Sequence, residues 1–229
     1  MTDEQPDQAT DEQPDQATDE QPDLPADEST ADDGSGRPRL AELRDVETVY
    51  QPAEDSRLLA ETAIEHSGVG PGDLVLDVGT GSGYVAARIR EETGARVVGS
   101  EITADACRQA RDAGVSTVRA DLVAPFCGAF DLVVCNPPYL PPPPEHEWGD
   151  PMERALSGGE DGRAVVNRLL GAVGRVLAPD GRLLLLVSSL TGPDEVRERA
   201  SEGGLASTVV AEESHPFERL LVLELHTSP

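Results

Sequence analysis

From residue 74 onward, short apolar runs alternate with stretches whose apolar residues recur at three- and four-residue spacing. Leu74-Val75-Leu76, Val97-Val98, Phe130 to Cys135 and Leu183 to Val187 are runs of the first kind, rich in branched residues and bounded by Gly, Asp or Pro. Such runs predict strands buried on both faces of a parallel sheet. Between them, Tyr84, Val85, Ala86 and Ile89, then Ala104, Ala106, Ala110 and Ala113, then the stretch from Ala164 to Leu177 predict helices, the last ending at Pro179-Asp180-Gly181. Leu58, Leu59, Ala60 and Ile64 predict a helix ahead of the first strand, capped by Asp55 or Ser56 and ending near His66; Thr103 is the expected cap of a later one. Ser116 to Arg119 reads as a short third strand. A helix from Pro193 and a hairpin-like pair, Ser207 to Val210 and Leu220 to Leu225, close the chain. The pattern predicts an α/β fold: a mostly parallel, seven-stranded sheet with helices on both faces and an antiparallel edge.

The first residues obey neither period. Asp3 to Thr10 reads DEQPDQAT, Asp11 to Thr18 repeats it, and Asp19 to Ala26 varies it as DEQPDLPA. An acidic, proline-bearing repeat with almost no apolar surface cannot offset its ordering entropy, so residues 1–38 are expected to be a disordered tail and 39–229 the folded domain. Charge carries the same sign throughout: 44 acidic residues face 18 basic ones, all arginine. The composition resembles that of a salt-adapted, haloarchaeal cytoplasmic protein, whose self-repulsion is relieved by screening ions. No basic start followed by an apolar stretch opens the chain and no run approaches membrane-spanning length. Cys107, Cys127 and Cys135 form no CxxC pair and the four histidines are scattered, so neither a disulfide framework nor a metal site is indicated. Cys135 reads as a small buried hydrophobe.

The candidate chemistry collects where strands end. Asn136-Pro137-Pro138-Tyr139 follows the run Phe130 to Cys135, at a strand's carboxyl end, where open α/β sheets bind ligands. Asn136 offers a side-chain carbonyl, and the two prolines, lacking N–H groups, hold their carbonyls in a narrow range of directions. Two such acceptors suit both hydrogens of a planar –NH2 group, with Tyr139 stacked on its plane. Upstream, Asp77-Val78-Gly79-Thr80-Gly81-Ser82-Gly83 is a strand end and a glycine turn whose spacing, GxGxG, suits a nucleoside without a pyrophosphate. Glu101 at the second strand end is placed to accept from two ribose hydroxyls. Asp121 after the third is suited to an adenine amino group, with Leu122 packed on the ring. The segment from Pro141 to Gly162 reads as a substrate-facing loop.

With the glycine turn, three acids and the tetrapeptide in register, the chain resembles the Rossmann-like class I S-adenosylmethionine-dependent methyltransferases over roughly residues 40 to 226. Tyr50-Gln51-Pro52-Ala53-Glu54-Asp55-Ser56, Asn136 to Tyr139, and Ser157-Gly158-Gly159 with Gly162-Arg163 resemble the HemK family more narrowly, in its short archaeal and eukaryotic branch. That resemblance implies methylation of the glutamine in the Gly-Gly-Gln motif of class I peptide release factors. It implies S-adenosyl-L-methionine held by Ser56, Asp77, Gly79, Gly81, Glu101, Asp121 and Leu122, and a substrate clamp of Asn136, Pro137, Pro138 and Tyr139. It also implies a small zinc-binding activator protein as partner, docked along the third strand. The same tetrapeptide serves adenine-N6 methyltransferases, but the acidic balance argues against a nucleic-acid substrate. A cofactor-binding scaffold without turnover does not explain an intact Asn136.

Overall fold

A computed structural model describes residues 54–139, 158–159 and 161–227. The expected tail, Tyr50 to Ala53 and the proline run Pro141 to Pro144 lie outside them. The helices are α1 (Glu54–His66), α2 (Tyr84–Thr93), α3 (Ala104–Asp112), α4 (Ala164–Leu170) and α5 (Pro193–Glu202). The strands are β1 (Leu74–Val78), β2 (Arg96–Glu101), β3 (Ser116–Arg119), β4 (Phe130–Cys135), β5 (Leu177–Ser188), β6 (Leu205–Ser214) and β7 (Arg219–Thr227). They form one sheet in the order β3-β2-β1-β4-β5-β7-β6, parallel except for β7, which runs antiparallel to both neighbours.

Alternation along each strand divides the core into two layers. Leu76, Val133, Leu183 and Leu185 face α4 and α5 through Val166, Leu169 and Val196. Val75, Leu132, Leu184 and Leu186 face α1 and α2 through Leu59, Ala63 and Ile89. Leu183 to Leu186 are therefore all fully buried, which is why the strand reads as an unbroken apolar run. Each such side chain contributes on the order of 1.5–3 kcal/mol of burial. Because β1 sits between β2 and β4, the strand order reverses at its carboxyl end, leaving a crevice there.

Three expected boundaries move. The helix expected over Ala164 to Leu177 ends at Leu170, with Gly171 as its cap, and a short 3-10 turn, Val173–Arg175, follows. Gly171 and Gly174 make a continuous helix costly there. Pro179-Asp180-Gly181 does not end a helix but bulges out of β5, between the pairs Phe130–Leu177 and Leu132–Arg182. A Cβ on Gly181 would stand 2.5 Å from the Phe130 carbonyl oxygen, so only glycine closes this bulge. At the start of α1, Asp55 and Ser56 lie inside the first turn rather than at its cap, where negative charge meets the positive end of the helix dipole. Thr103 caps α3 as expected, accepting from the Ala106 N–H at 3.3 Å.

Candidate active site

The carboxyl ends of β1, β2 and β4 bring Asp77, Glu101 and Asn136 to adjacent strands. Between β1 and α2 the chain turns through Gly79, Gly81 and Gly83, with φ of 71°, 51° and 85°, a left-handed region in which side chains are strained. The turn is folded back over β2: Gly79 N–H and Thr80 N–H both donate to the Ser100 carbonyl, at 2.8 and 3.0 Å. Thr80 reaches this position because β2 has no side chain at Gly99, where a Cβ would meet Thr80 Cγ2 at 2.7 Å. Beyond Gly79, by contrast, an added Cβ would meet nothing within 4 Å, so the turn presents bare backbone.

Two carboxylates flank this turn. Asp77 is 2% exposed and accepts from Thr80 Oγ1 at 2.7 Å. Burial pushes its carboxyl up from 3.8 to about 6; hydrogen bonds from Thr80 and the Ala86 backbone oppose the rise, and the Glu101 charge adds to it. Glu101, also buried, accepts three backbone N–H groups: Gly81 at 3.2 Å, Ile102 at 2.7 Å and Thr103 at 3.0 Å. A carboxylate has about four acceptor positions, so Glu101 keeps room for one further donor, where the sequence suggested two. Among the described residues no arginine or histidine forms an ion pair with either acid. Two buried carboxylates with hydrogen bonds but no cationic partner among the described residues, beside open backbone, suit a cationic ligand with hydroxyl groups.

The third acid is different. Asp121 is exposed and its Oδ2 is taken by Arg168 of α4 in an ion pair. Leu122 beside it holds a φ of 50° and packs its half-buried side chain on the α4 side of the core. Arg168 carried no signal in the sequence, because its partner lies 47 residues away.

On the other side of β1, Asn136 follows β4 directly. Its Nδ2 donates to Ser56 Oγ, 3.3 Å away on α1. A side-chain amide whose nitrogen is held this way presents its carbonyl Oδ1 to a ligand on the far side. Ser56 thus meets the clamp, a contact the sequence did not assign to it. Pro137 is buried, Pro138 exposed, and half-buried Tyr139 packs against the α1 layer. Burial raises the Tyr139 hydroxyl well above its ordinary value, and the nearby charges of Asp55 and Glu218 raise it further. Tyr139 is therefore a neutral phenol, a ring surface and donor rather than a base. Glu218, in turn, accepts from Ser188 Oγ at 2.6 Å. The Cys135 thiol is raised by burial and by Asp77, which makes it inert as a nucleophile.

Residues 75–159 match a methyltransferase domain family. A putative protein N5-glutamine methyltransferase of Methanocaldococcus jannaschii is 30% identical over 76% of this chain and 90% of its own length. The mouse methyltransferase HEMK2 is 33% identical over 79% of this chain and 90% of its own. The chain belongs to the HemK-type protein-glutamine methyltransferases. Among solved structures, this methyltransferase resembles Mtq2 of E. cuniculi, described in complex with Trm112 as responsible for methylation of the termination factor eRF1. Identity is 30% over 79% of this chain and 99% of that one, with a TM-score of 0.64. A ribosomal protein L11 methylase from Lactobacillus delbrueckii shares the fold at a TM-score of 0.58 and 19% identity.

Proposed function

We propose that this methyltransferase uses S-adenosyl-L-methionine to methylate the side-chain amide nitrogen of the glutamine in the Gly-Gly-Gln motif of a class I peptide release factor. The observation that carries the cofactor is the pair of buried carboxylates, Asp77 and Glu101, which have no ion-pair partner among the described residues, at the bare-backbone turn of Gly79 and Gly81. The cofactor supplies an electrophilic methyl group on a cationic sulfonium. Asp77 balances positive charge, Glu101 accepts a ribose hydroxyl, and Asp121 with Leu122 receives the adenine. The acceptor amide is held by Asn136 Oδ1 and the Pro137 carbonyl, with Tyr139 against its plane.

A carboxamide nitrogen is a poor nucleophile because its lone pair is delocalised into the carbonyl. Two acceptors gripping its N–H groups fix its direction and bind more strongly as the nitrogen becomes positive, which is catalysis by orientation and by charge stabilisation. With the cofactor bound, the methyl carbon would pass from sulfur to the amide nitrogen, the carbon–sulfur bond breaking as the carbon–nitrogen bond forms and leaving a neutral thioether, and the nitrogen would then lose a proton to solvent without a general base. The choice of a protein amide over an adenine amine rests on the relatives and on the net charge of −26. The deciding assay incubates the protein and labelled cofactor with a release factor, its Gly-Gly-Gln→Gly-Gly-Ala variant, DNA and RNA. Label on the intact release factor alone is expected; label on nucleic acid alone overturns the reading.

The same resemblance supports a small zinc-binding activator protein seated on β3. That strand is the outer one of the sheet, with Ser116, Val118 and Arg119 exposed, and an edge of this kind accepts a partner strand. Val118→Pro is expected to abolish co-purification with the activator. An undiminished heterodimer places the partner elsewhere.

A further inference from the structure

The Gly158-Gly159 and Asp161-Gly162 turn is the one described motif of the sequence to which the reaction gives no part. Its glycines lie against the backbone of the clamp. A Cβ on Gly158 would stand 2.9 Å from the Pro138 carbonyl oxygen, 3.1 Å from the Tyr139 carbonyl carbon and 2.9 Å from Gly162 Cα. A Cβ on Gly162 would stand 2.6 Å from the Tyr139 carbonyl oxygen and 2.7 Å from Thr191 Cγ2. All but the 3.1 Å contact are closer than real Cβ atoms come, and that one is tighter than most, so the two glycines lie against the clamp backbone with no space for a side chain.

The turn is anchored independently of the clamp. Ala164 N–H donates to the Gly158 carbonyl at 2.8 Å, at the start of α4. Arg163 pairs with Asp161 at 3.0 Å and donates to the Thr191 carbonyl at 2.7 Å. Thr191 is itself buried, its hydroxyl donating to the Ser188 carbonyl at the end of β5. The clamp needs such an abutment. Pro137 and Pro138 have no N–H to donate, so ladder bonds cannot fix this backbone and packing must do it.

We propose that Gly158 and Gly162 are positioning residues: their bare faces, anchored to β5 through Arg163, set the direction of the Pro138 and Tyr139 backbone and through it the acceptor groups of the clamp. This rests on the proposed function for its catalytic consequence, but its structural content does not. An error of about 1 Å in such a group costs on the order of 100-fold in rate.

Gly159 supplies the control. It lies in the left-handed region, with φ of 79°, yet its Cβ would meet only the Ala164 side chain closely, at 2.9 Å. Gly158 has no positive φ, so alanine there intrudes on the clamp without backbone strain of that kind. Gly158→Ala is expected to lower kcat about 100-fold and to leave cofactor affinity as in the wild type. It should also shift the Tyr139 backbone and Asn136 side-chain amide resonances in ¹H–¹⁵N spectra. Gly159→Ala is expected to leave those resonances in place and to keep most of its kcat, whatever it loses in thermal midpoint. Gly162→Ala approaches from the other side and should repeat the Gly158→Ala result should that variant fold poorly. Unmoved resonances in both clamp-facing variants overturn the inference, as does a raised KM at unchanged kcat, which would make the turn a substrate surface. A wild type that transfers nothing to the release factor sinks the proposed function, and the resonance shifts then decide the positioning role alone.

Discussion

The two halves of the site, either side of β1, are built on opposite principles. On the β2 side, charged groups are buried and tied to backbone: Asp77 to Thr80, Glu101 to three N–H groups of the glycine turn and the start of α3. On the β4 side, the groups of the proposed clamp are neutral: Asn136 is tied to the Ser56 hydroxyl, and the Pro138 and Tyr139 backbone lies against Gly158 and Gly162. A half that binds a cation gains from unpaired negative charge; a half that grips a neutral amide gains from direction. The first half concentrates its energetic cost in desolvation, and the second in placement.

The sharpest break of that contrast is Asn136→Ala, which removes an acceptor from the neutral half and touches nothing in the charged one. Methyl transfer is expected to fall by about 100- to 1,000-fold, as when a preorganised hydrogen-bonding group is lost at a reacting centre. Cofactor affinity by calorimetry should stay as in the wild type. Turnover that survives means the clamp is not the catalytic device.

The second variant acts on the charged half. Asp77 has its folded value raised to about 6 from an ordinary 3.8, so the folded state holds the proton more tightly than the unfolded chain. Its contribution to stability is then full below about pH 4 and is lost as pH rises through about 6. The loss amounts to about 3 kcal/mol. Asp77→Asn keeps an acceptor for Thr80 but has no charge to desolvate. The difference in unfolding free energy between wild type and variant should therefore move in the variant's favour by about 2 kcal/mol between pH 4 and pH 7, while cofactor affinity at pH 7 falls. A pH-independent difference would show that Asp77 is not held in the cost of its own burial.

How legible these halves were in the sequence follows from the same contrast. Asp77, Glu101 and Asn136 were readable because each stands directly at the end of an apolar run, and strand ends in a parallel sheet share one edge. The sheet was readable for a related reason: strands buried on both faces leave an unambiguous mark, as Leu183 to Leu186 do. What was hidden depends on contacts distant in sequence. Nothing local ties Ser56 to Asn136, 80 residues on, or aims Gly162 at Tyr139. Pro179-Asp180-Gly181 suits a helix end and a strand bulge equally, and only the Phe130 carbonyl beside Gly181 decides for the bulge. Thr80, by contrast, carries a local signal: a hydroxyl three residues after a buried acid, inside its glycine turn, is within reach of it.

Asp121 tests where the charged half stops. Sequence pattern places it as the third of three equivalent acids, but β3 is the outer strand, and the side chain beyond it is 46% exposed and paired with Arg168. An exposed ion pair is worth about 0–1 kcal/mol, so Asp121→Ala should leave the unfolding midpoint almost unmoved. As an acceptor for an adenine amino group in a partly solvated place, the carboxylate should contribute about 1 kcal/mol, or roughly a fivefold loss of cofactor affinity, near the bottom of the range a buried acceptor would give. Arg168→Ala separates the two roles. If Asp121 serves the ligand, freeing its second oxygen leaves affinity equal or improved, whereas a loss matching that of Asp121→Ala would mean that the pair braces the loop and that the ligand never meets the carboxylate. Calorimetric titration of both variants with the cofactor, at one fixed salt concentration because the pair is screened by ions, distinguishes these outcomes.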